Sequence, residues 1–284
     1  MAAVVRREPR AVLRMRCAVI GDPAHHSLSP AIHRAGYDAN GLDWHYDAIT
    51  VTPDELDGFV RGVIDDPGWA GLSVTAPHKE AMLAYGEADE PSLLVGGANT
   101  LVLRGETPTL HNTDVPGFVV AWRAATDEVP KRAAIVGAGA TARAILVGLA
   151  GFGTREVTIL VRNPDRAAGL LELARALDIP AEARLLSDPI EPVDLLASTI
   201  PAEATAPYAR QWADSAAALF DVVYDPWPTP VAVAARDAGR IALNGLDLLA
   251  GQAVDQFYLL TGRQVTLEAC RSAAEQELQR RQRL

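Results

Sequence analysis

A glycine-rich turn between a short apolar segment and a helical one constrains the fold of this chain more than any other feature. Residues 133–136 have the composition of a buried strand, a turn follows directly, and residues 141–149 favour a helix. Such a turn points the N–H groups of a helix N-terminus at an anion, and glycine leaves room for a pyrophosphate to approach. The pattern predicts a dinucleotide site formed by Gly137, Ala138, Gly139, Ala140, Thr141 and Ala142.

The second half of the chain alternates strands and helices regularly. Apolar strand segments recur with helical segments between them, and this order predicts a doubly wound parallel sheet. The expected strands are 133–136, 157–161, segments near Leu195 and Val222, and 240–243, with helices ending near Ala150 and spanning 165–177.

The first part of the chain has an α/β pattern as well. Apolar residues at helical spacing after Gly245 predict two terminal helices that return to this first unit. The sequence therefore predicts an α/β protein of two domains: a substrate domain at 15–118, completed by helices at 246–284, and a Rossmann-like cofactor domain at 119–245. In the first unit the expected strands are 17–20, 44–49, 71–74 and 100–104, and the expected helices are 30–40, 115–126, one from Thr52 toward Asp66 and one after Pro77.

Composition and charge exclude several classes of function. The 284 residues suit two domains with a cleft between them, and 36 acidic against 26 basic side chains argue against nucleic-acid binding. No segment approaches the roughly 18 apolar residues of a membrane helix, so we expect no membrane partner. Cys17 and Cys270 lack metal-ligand spacing and the histidines are scattered. We therefore expect a cytoplasmic protein without a metal.

The N-terminus and the oligomeric state are less constrained. Arg6, Arg7 and Arg10 lie in a basic stretch without the apolar block of a secretory signal, so we expect a frayed tail. Met15 is an alternative start. Monomer and homodimer both remain open, because an edge strand that forms a dimer has the same pattern as a covered one.

Two arginines indicate which nicotinamide cofactor the turn would bind. An NAD site places a carboxylate after the second strand of the unit to hold the ribose hydroxyls. Here that strand is followed by Arg162 and, four residues later, by Arg166. A guanidinium is suited to bind the 2′-phosphate of NADP. The sequence therefore favours NADP over NAD.

Hydroxyl, amide, amine and carboxylate groups lie upstream of the glycine turn. Ser27 and Ser29 precede a predicted helix, where hydroxyls can hold a carboxylate, although serine before proline is more often a helix cap. Thr75 and Asn99 lie where predicted strands end, the edge at which α/β sheets bind ligands. This set predicts a pocket for a polyhydroxylated acid beside the nicotinamide.

In these segments the chain resembles the shikimate dehydrogenase family, and the resemblance spans about residues 16–262. It implies NADPH-dependent reduction of 3-dehydroshikimate to shikimate, on the route to aromatic amino acids. Ser73 departs from the family, which often has asparagine there. The matching segments are 26–30, 73–79, 97–100, 112–114, 137–142, 224–230 and 245–249, together with Gln252.

The resemblance also implies roles for individual residues. Lys79 and Asp114 would be catalytic, with the lysine beside the reacting oxygen. Two alternatives stay open: a quinate/shikimate dehydrogenase that uses NAD, and a non-catalytic sensor of shikimate and NADP. The implied substrate-binding residues are Ser27, Ser29, Thr75, Asn99, Tyr224 and Gln252, and Arg162, Arg166, Thr199 and Gly245 join the glycine turn at the cofactor.

Overall fold

The computed structural model describes residues 14–283, and their helices and strands form two six-stranded sheets. The expected frayed tail with Arg6, Arg7 and Arg10 lies outside these residues. Within residues 14–283, no helix has the length and apolar character that crossing a membrane requires.

Strands and helices alternate along nearly the whole described chain. The strands are β1 Arg16–Gly21, β2 His45–Thr50, β3 Trp69–Val74, β4 Glu87–Ala88, β5 Thr100–Val102, β6 Thr109–His111, β7 Arg132–Val136, β8 Glu156–Val161, β9 Ala181–Leu185, β10 Val193–Ser198, β11 Ala216–Asp221 and β12 Ile241–Leu243. The helices are α1 Ser29–Asn40, α2 Leu56–Asp65, α3 Glu90–Val95, α4 Asp114–Ala125, α5 Ala140–Gly151, α6 Ala168–Ala176, α7 Ala202–Thr205, α8 Ala209–Ser215, α9 Pro230–Asp237, α10 Gly245–Thr261 and α11 Leu267–Gln282. Short 3₁₀ helices occupy Ala81–Ala84, Pro164–Ala167 and Ala206–Tyr208.

The second sheet is fully parallel, in the order β12-β11-β10-β7-β8-β9. Successive residues of β7 point to opposite faces: Ile135 packs in the core that contains Trp122, and Val136 packs in the core that contains Trp212. Both faces are covered, which explains why the strand is an uninterrupted apolar run. The strand order reverses between β7 and β10, and ligands bind at such a reversal. The predicted doubly wound sheet is confirmed.

The first sheet is mixed, in the order β2-β1-β3-β5-β6-β4. Strand β5 runs antiparallel to β3, so the start of β5 lies beside the end of β3. As a result the Val74 N–H donates to the Asn99 carbonyl at 2.7 Å. Thr75 and Asn99 therefore come to the same edge of the sheet, although 24 residues of chain separate Thr75 from Asn99.

Two helices cross at a pair of glycines. A Cβ on Gly117 of α4 would lie 2.5 Å from the backbone nitrogen of Gln252, and one on Gly251 of α10 would lie 2.3 Å from the Gly117 carbonyl oxygen. Only glycine permits this approach. The crossing brings the first turn of α4, with Asp114, beside Gln252 on α10.

The terminal helices α10 and α11 pack against the α1 region of the first unit. Asn244 and Asp247 form a capping box that starts α10. Leu28 and Ile32 of the α1 region pack against Ala250 of α10 and Ala274 of α11 in one apolar cluster.

Several predicted boundaries are wrong. The helix expected from Thr52 begins at Leu56 instead. Glu55 still accepts from the Thr52 N–H and hydroxyl, but these bonds stabilise a turn ahead of the helix. After Pro77 only one 3₁₀ turn forms, because the Lys79 carbonyl accepts from Ala98 at 2.9 Å and does not serve a helix.

Other elements differ in extent or were not expected. The helix expected at 165–177 is divided into the 3₁₀ turn Pro164–Ala167 and α6, and the strand expected to reach Arg104 ends at Val102. The sequence reasoning missed α3, α7, α8, α9, β4, β6 and β9.

Candidate active site

A cleft of about 240 Å³ contains most of the polar residues singled out in the sequence. Thr141 and Gly245, predicted for the cofactor, also line it, so the two predicted sites meet here. Of the predicted substrate and catalytic residues, its walls contain Ser27, Ser29, Thr75, Lys79, Asp114, Tyr224 and Gln252.

The two serines lie at the N-terminus of α1. Ser29 is the first residue of the helix and is 8% exposed. Its N–H donates to the Ser27 hydroxyl oxygen at 3.2 Å, which holds the two residues together. The positive end of the helix dipole and two hydroxyls thus face the cleft at one place, a combination that favours a carboxylate.

An ion pair connects Lys79 and Asp114 across 35 residues of chain, with 2.5 Å between the lysine Nζ and the Asp114 Oδ2. The side chains are only 16% and 5% exposed. His78 next to the lysine is buried, and its Nε2 contacts the Val51 carbonyl at 2.6 Å, so it anchors the loop. An amine fixed beside a carboxylate in a sheltered cleft can give or take a proton at a bound ligand.

Asn99 lies behind this pair and does not line the cleft. Its amide donates to the Asp114 Oδ1 at 3.0 Å and to the Gln252 Oε1 at 2.9 Å. Its oxygen accepts from the Thr113 N–H at 2.8 Å. Both amide hydrogens are therefore engaged within the protein, and the side chain holds Asp114 and Gln252 in place.

Several residues that line the cleft were not predicted as site residues, among them the polar side chains of His26, Ser73 and Gln256. The Gln256 oxygen accepts from the Ser73 hydroxyl at 2.7 Å, and its amide donates to the Thr100 hydroxyl at 2.8 Å. Gln256 follows Gln252 by four residues, so both lie on one face of α10. That spacing was the available signal.

The polar network continues to a buried histidine. His33 is fully buried, stacks on the Tyr46 ring, and places its Nε2 3.2 Å from the Gln256 Oε1. Burial lowers the pKa of His33 from 6.5 to about 4, against the opposing effect of the Gln256 bond. The ring is therefore neutral at physiological pH and donates from Nε2.

Tyr224 covers another wall of the cleft. Burial raises the pKa of Tyr224, the positive charge of Arg281 opposes that rise and the charge of Asp225 adds to it. Its hydroxyl is therefore a neutral hydrogen-bonding group at physiological pH.

A second cleft of about 560 Å³ lies at the reversal of the parallel sheet. Gly137 has a φ of +102°, and a Cβ there would lie 2.4 Å from the Thr199 hydroxyl oxygen, so only glycine is accommodated. At Gly139 a Cβ would meet nothing within 4 Å, which leaves the α5 N-terminus open to a pyrophosphate. Arg162 and Arg166 line the same cleft and are exposed. These features fit a dinucleotide with an additional phosphate.

Three residues predicted for the cofactor lie behind the cleft surfaces. Ala142 is fully buried in the core against the parallel sheet, and the Thr199 hydroxyl donates to the Val136 carbonyl at 2.7 Å. Ala140 begins α5 and lines neither cleft. Among residues 14–283 there is no group of three or more His, Cys, Asp or Glu side chains that could hold a metal ion.

Comparison with known proteins identifies close relatives. The family model for the shikimate dehydrogenase substrate binding domain matches residues 19–101. The shikimate dehydrogenase (NADP(+)) of Moorella thermoacetica is 34% identical over 87% of this chain and 88% of its own length.

Solved structures of shikimate dehydrogenases are similar to this chain in fold as well as in sequence. The shikimate dehydrogenase of Mycobacterium tuberculosis is 37% identical, with a TM-score of 0.82 over 92% of this chain and 99% of the other. The enzyme of Thermus thermophilus, solved with NADP(H) and shikimate, is 29% identical, with a TM-score of 0.79 over 92% and 99% of the two chains.

Proposed function

Because the chain belongs to the shikimate dehydrogenase family, we propose that it catalyses the reversible, NADPH-dependent reduction of 3-dehydroshikimate to shikimate. One observation carries the proposal: a sheltered Lys79–Asp114 pair lines a cleft that also contains two serine hydroxyls and residues of the cofactor side. Acid binding, proton transfer and hydride transfer can then occur in one place.

The substrate is bound by groups at opposite sides of the cleft. Ser27 and Ser29 hold the carboxylate at the N-terminus of α1, where hydroxyl donors and the helix dipole act together. Thr75 and Gln252 bind ring hydroxyls, and Tyr224 covers the carboxylate. Asn99 contributes to hydroxyl binding by fixing Gln252 and Asp114, to which its amide already donates.

Lys79 is the proton donor in the reduction. As the carbonyl of 3-dehydroshikimate is reduced, negative charge develops on its oxygen, and a nearby ammonium both stabilises that charge and neutralises it. Asp114 holds the amine at 2.5 Å and keeps it from turning away. In the oxidation of shikimate the same amine accepts the hydroxyl proton.

The cofactor is NADP, and when bound it supplies or accepts the hydride. The turn at Gly137, Ala138 and Gly139 forms the pyrophosphate site together with the backbone N–H groups at the start of α5, at Ala140 and Thr141, and Ala142 fixes that start in the core. Arg162 and Arg166 bind the 2′-phosphate by charge-assisted hydrogen bonds. The Thr199 hydroxyl binds the Val136 carbonyl just before the turn. Gly245 closes the cleft near the nicotinamide, and only glycine fits there because a Cβ would lie 2.1 Å from the Val222 carbonyl oxygen.

The domain division is a further part of the proposal. Residues 15–118 with 246–284 form the substrate domain and residues 119–245 the cofactor domain. Each six-stranded sheet belongs to one of these units, and the boundary falls inside α4, whose Phe118 and Trp122 pack under the second sheet. Both clefts are built from one chain, which suits a monomer or a homodimer. A biosynthetic enzyme of this kind is expected in the cytoplasm.

An absorbance assay at 340 nm tests the function. Purified protein is given shikimate or quinate with NADP⁺ or NAD⁺, and the four specificity constants are compared. The proposal predicts the highest value for shikimate with NADP⁺. Preference for NAD⁺ with both acids would indicate a quinate/shikimate dehydrogenase, and binding of shikimate and NADP⁺ without turnover would indicate a sensor.

A further inference from the structure

Arg281, near the end of the last helix, contacts the loop of residues 26–28, which contains Ser27 and leads into α1, and it does so from outside the substrate cleft. The guanidinium of Arg281 donates from Nη1 to the His26 carbonyl at 2.7 Å and from Nη2 to the Ser27 carbonyl at 2.9 Å. These are two consecutive peptide groups, 254 residues away in sequence. Both carbonyls belong to the loop that leads into α1.

The orientation of this guanidinium is set by a third contact. Its Nε donates to the Glu277 Oε1 at 2.8 Å, four residues earlier on α11. Hydrogen bonds from Arg280 and Arg281 lower the pKa of Glu277 to about 2, so the carboxylate stays charged at physiological pH. A planar guanidinium held by a carboxylate on one edge and two carbonyls on another has little freedom to rotate.

The contact determines which way the loop peptides face. A trans peptide group directs its C=O and N–H to opposite sides. Because the Ser27 carbonyl points at Arg281, the Leu28 N–H points away from it. The Ser27 hydroxyl in turn accepts from the Ser29 N–H, so the position of this hydroxyl fixes the backbone two residues further along the chain.

We propose that Arg281 is a positioning residue for the substrate carboxylate: by binding the His26 and Ser27 carbonyls it fixes the loop so that the Ser27 and Ser29 hydroxyls and the Leu28 N–H converge on the acid group. The proposal rests on the proposed function of the cleft. Arg281 touches neither the substrate nor the cofactor, and it acts through the loop.

The loop of a variant without this guanidinium samples several orientations, and substrate binding decreases more than turnover. For Arg281→Ala we expect the KM for shikimate to rise about ten-fold or more, with kcat and the KM for NADP⁺ each within about three-fold of the parent. Arg281→Lys keeps the positive charge but replaces the planar guanidinium by a single ammonium group, and it should recover part of the loss.

A matched control is available one residue away. Arg280 also binds Glu277, with Nε 2.8 Å from Oε2, and its side chain is 62% exposed. Among residues 14–283 its recorded partner is Glu277 and not the loop. Arg280→Ala should leave all the kinetic constants unchanged. It removes the same charge, so it separates the loop contact from a general electrostatic effect.

Hydrogen exchange provides a readout that does not depend on turnover. In the full-length protein, the amides of residues 26–29 should exchange faster in Arg281→Ala than in the parent or in Arg280→Ala. An active parent whose Arg281→Ala variant keeps its KM for shikimate and its exchange rates would overturn this proposal alone. A parent that does not oxidise shikimate would overturn the proposed function, and unchanged exchange in Arg281→Ala would still contradict the role of Arg281. Equal losses in both KM values would show a global structural role and contradict the proposal too.

Discussion

The two clefts hold their polar groups in different ways. In the substrate cleft Lys79, Asp114, Asn99 and Gln252 are bonded to one another. In the cofactor cleft Arg162 and Arg166 have no ion pair or hydrogen bond from their side chains within the described part of the chain, and the glycine turn offers open backbone. The first cleft is arranged before a ligand arrives, whereas the second gains its charge pairing from the ligand. Changes in the first should therefore impair turnover, and changes in the second should alter cofactor choice.

The largest effect is expected at Lys79. Lys79→Ala removes the proton donor and leaves Asp114 without its cation, so kcat should fall by roughly 10²–10⁴-fold. The KM for NADP⁺ should change little, because Lys79 does not line the cleft that contains the glycine turn, Arg162 and Arg166. Steady-state kinetics with saturating substrates measures this, with Lys131→Ala, an exposed lysine at the start of the second sheet, as control. A turnover number equal to the parent's would remove Lys79 from the chemistry.

A fall in pH should lower the free energy of unfolding through His33, which lies on the substrate side. Its pKa lies at about 4 in the folded chain and near 6.5 when unfolded, so the unfolded chain takes up the proton first as the pH falls. This buried ring should therefore reduce the free energy of unfolding by about 3 kcal/mol between pH 6.5 and pH 4, and by nothing more below that range. Denaturant unfolding at several pH values measures how the free energy of unfolding changes with pH, and this change should be smaller in His33→Gln than in the parent.

The cofactor side contains a buried carboxyl group whose pKa shift has the opposite effect on stability as the pH falls. Burial raises the pKa of Asp221 on β11, against hydrogen bonds from the Thr229 hydroxyl and the Val223 N–H that lower it. The folded chain therefore binds that proton first, and this group stabilises the protein as the pH falls. If His33→Gln kept the full acid sensitivity of the parent, the assignment of that sensitivity to the substrate side would be wrong.

Cofactor choice should depend on Arg162. Arg162→Ala removes charge-assisted bonds of about 1.5–3 kcal/mol to the 2′-phosphate, which corresponds to a ten- to hundred-fold loss of preference for NADP⁺ over NAD⁺. The ratio of the two specificity constants measures it, with kcat for NADP⁺ nearly unchanged. Arg155→Ala, at the other end of β8, is the control. Equal losses with both cofactors would contradict the role of Arg162.

The smallest change is expected at Ser29. Ser29→Ala removes one hydrogen bond from a hydroxyl to the charged carboxylate, a bond of about 1.5–3 kcal/mol, and the remaining donors should keep the rise in the KM for shikimate near ten-fold, the lower end of that range. The second serine and the helix N-terminus remain. Initial rates at a fixed NADP⁺ concentration and varied shikimate concentration measure this KM. A fall in kcat with no change in the KM for shikimate would contradict the prediction.

The cofactor side was the more predictable of the two regions. Its requirements are local: Gly137 needs a positive φ, and Arg162 follows a strand, so each can be read within a few residues. The strand β9 was missed because its residues alternate between charged and small side chains at a sheet edge. In the first unit, the short helix α3 was missed as well, although the Asp89 side chain caps it by accepting from the Ser92 N–H.

The substrate side depends on contacts between distant residues. The approach of Gly117 and Gly251 sets the position of Asp114 beside Gln252, and no local pattern specifies that crossing. The same holds for Asn99, whose amide is engaged by Asp114 and Gln252, and for Gln256. The resemblance to a family indicated which residues gather, and the roles assigned to them remain proposals.

Transfer of a hydrogen label tests most directly whether the two clefts work as one site. Shikimate carrying deuterium on the carbon of the oxidised hydroxyl is incubated with NADP⁺ and the protein, and the NADPH is analysed by mass spectrometry. The account predicts NADPH heavier by one mass unit, since the hydride passes from one ligand to the other without exchange with water. NADPH without the label, or no NADPH although both ligands bind, would contradict it.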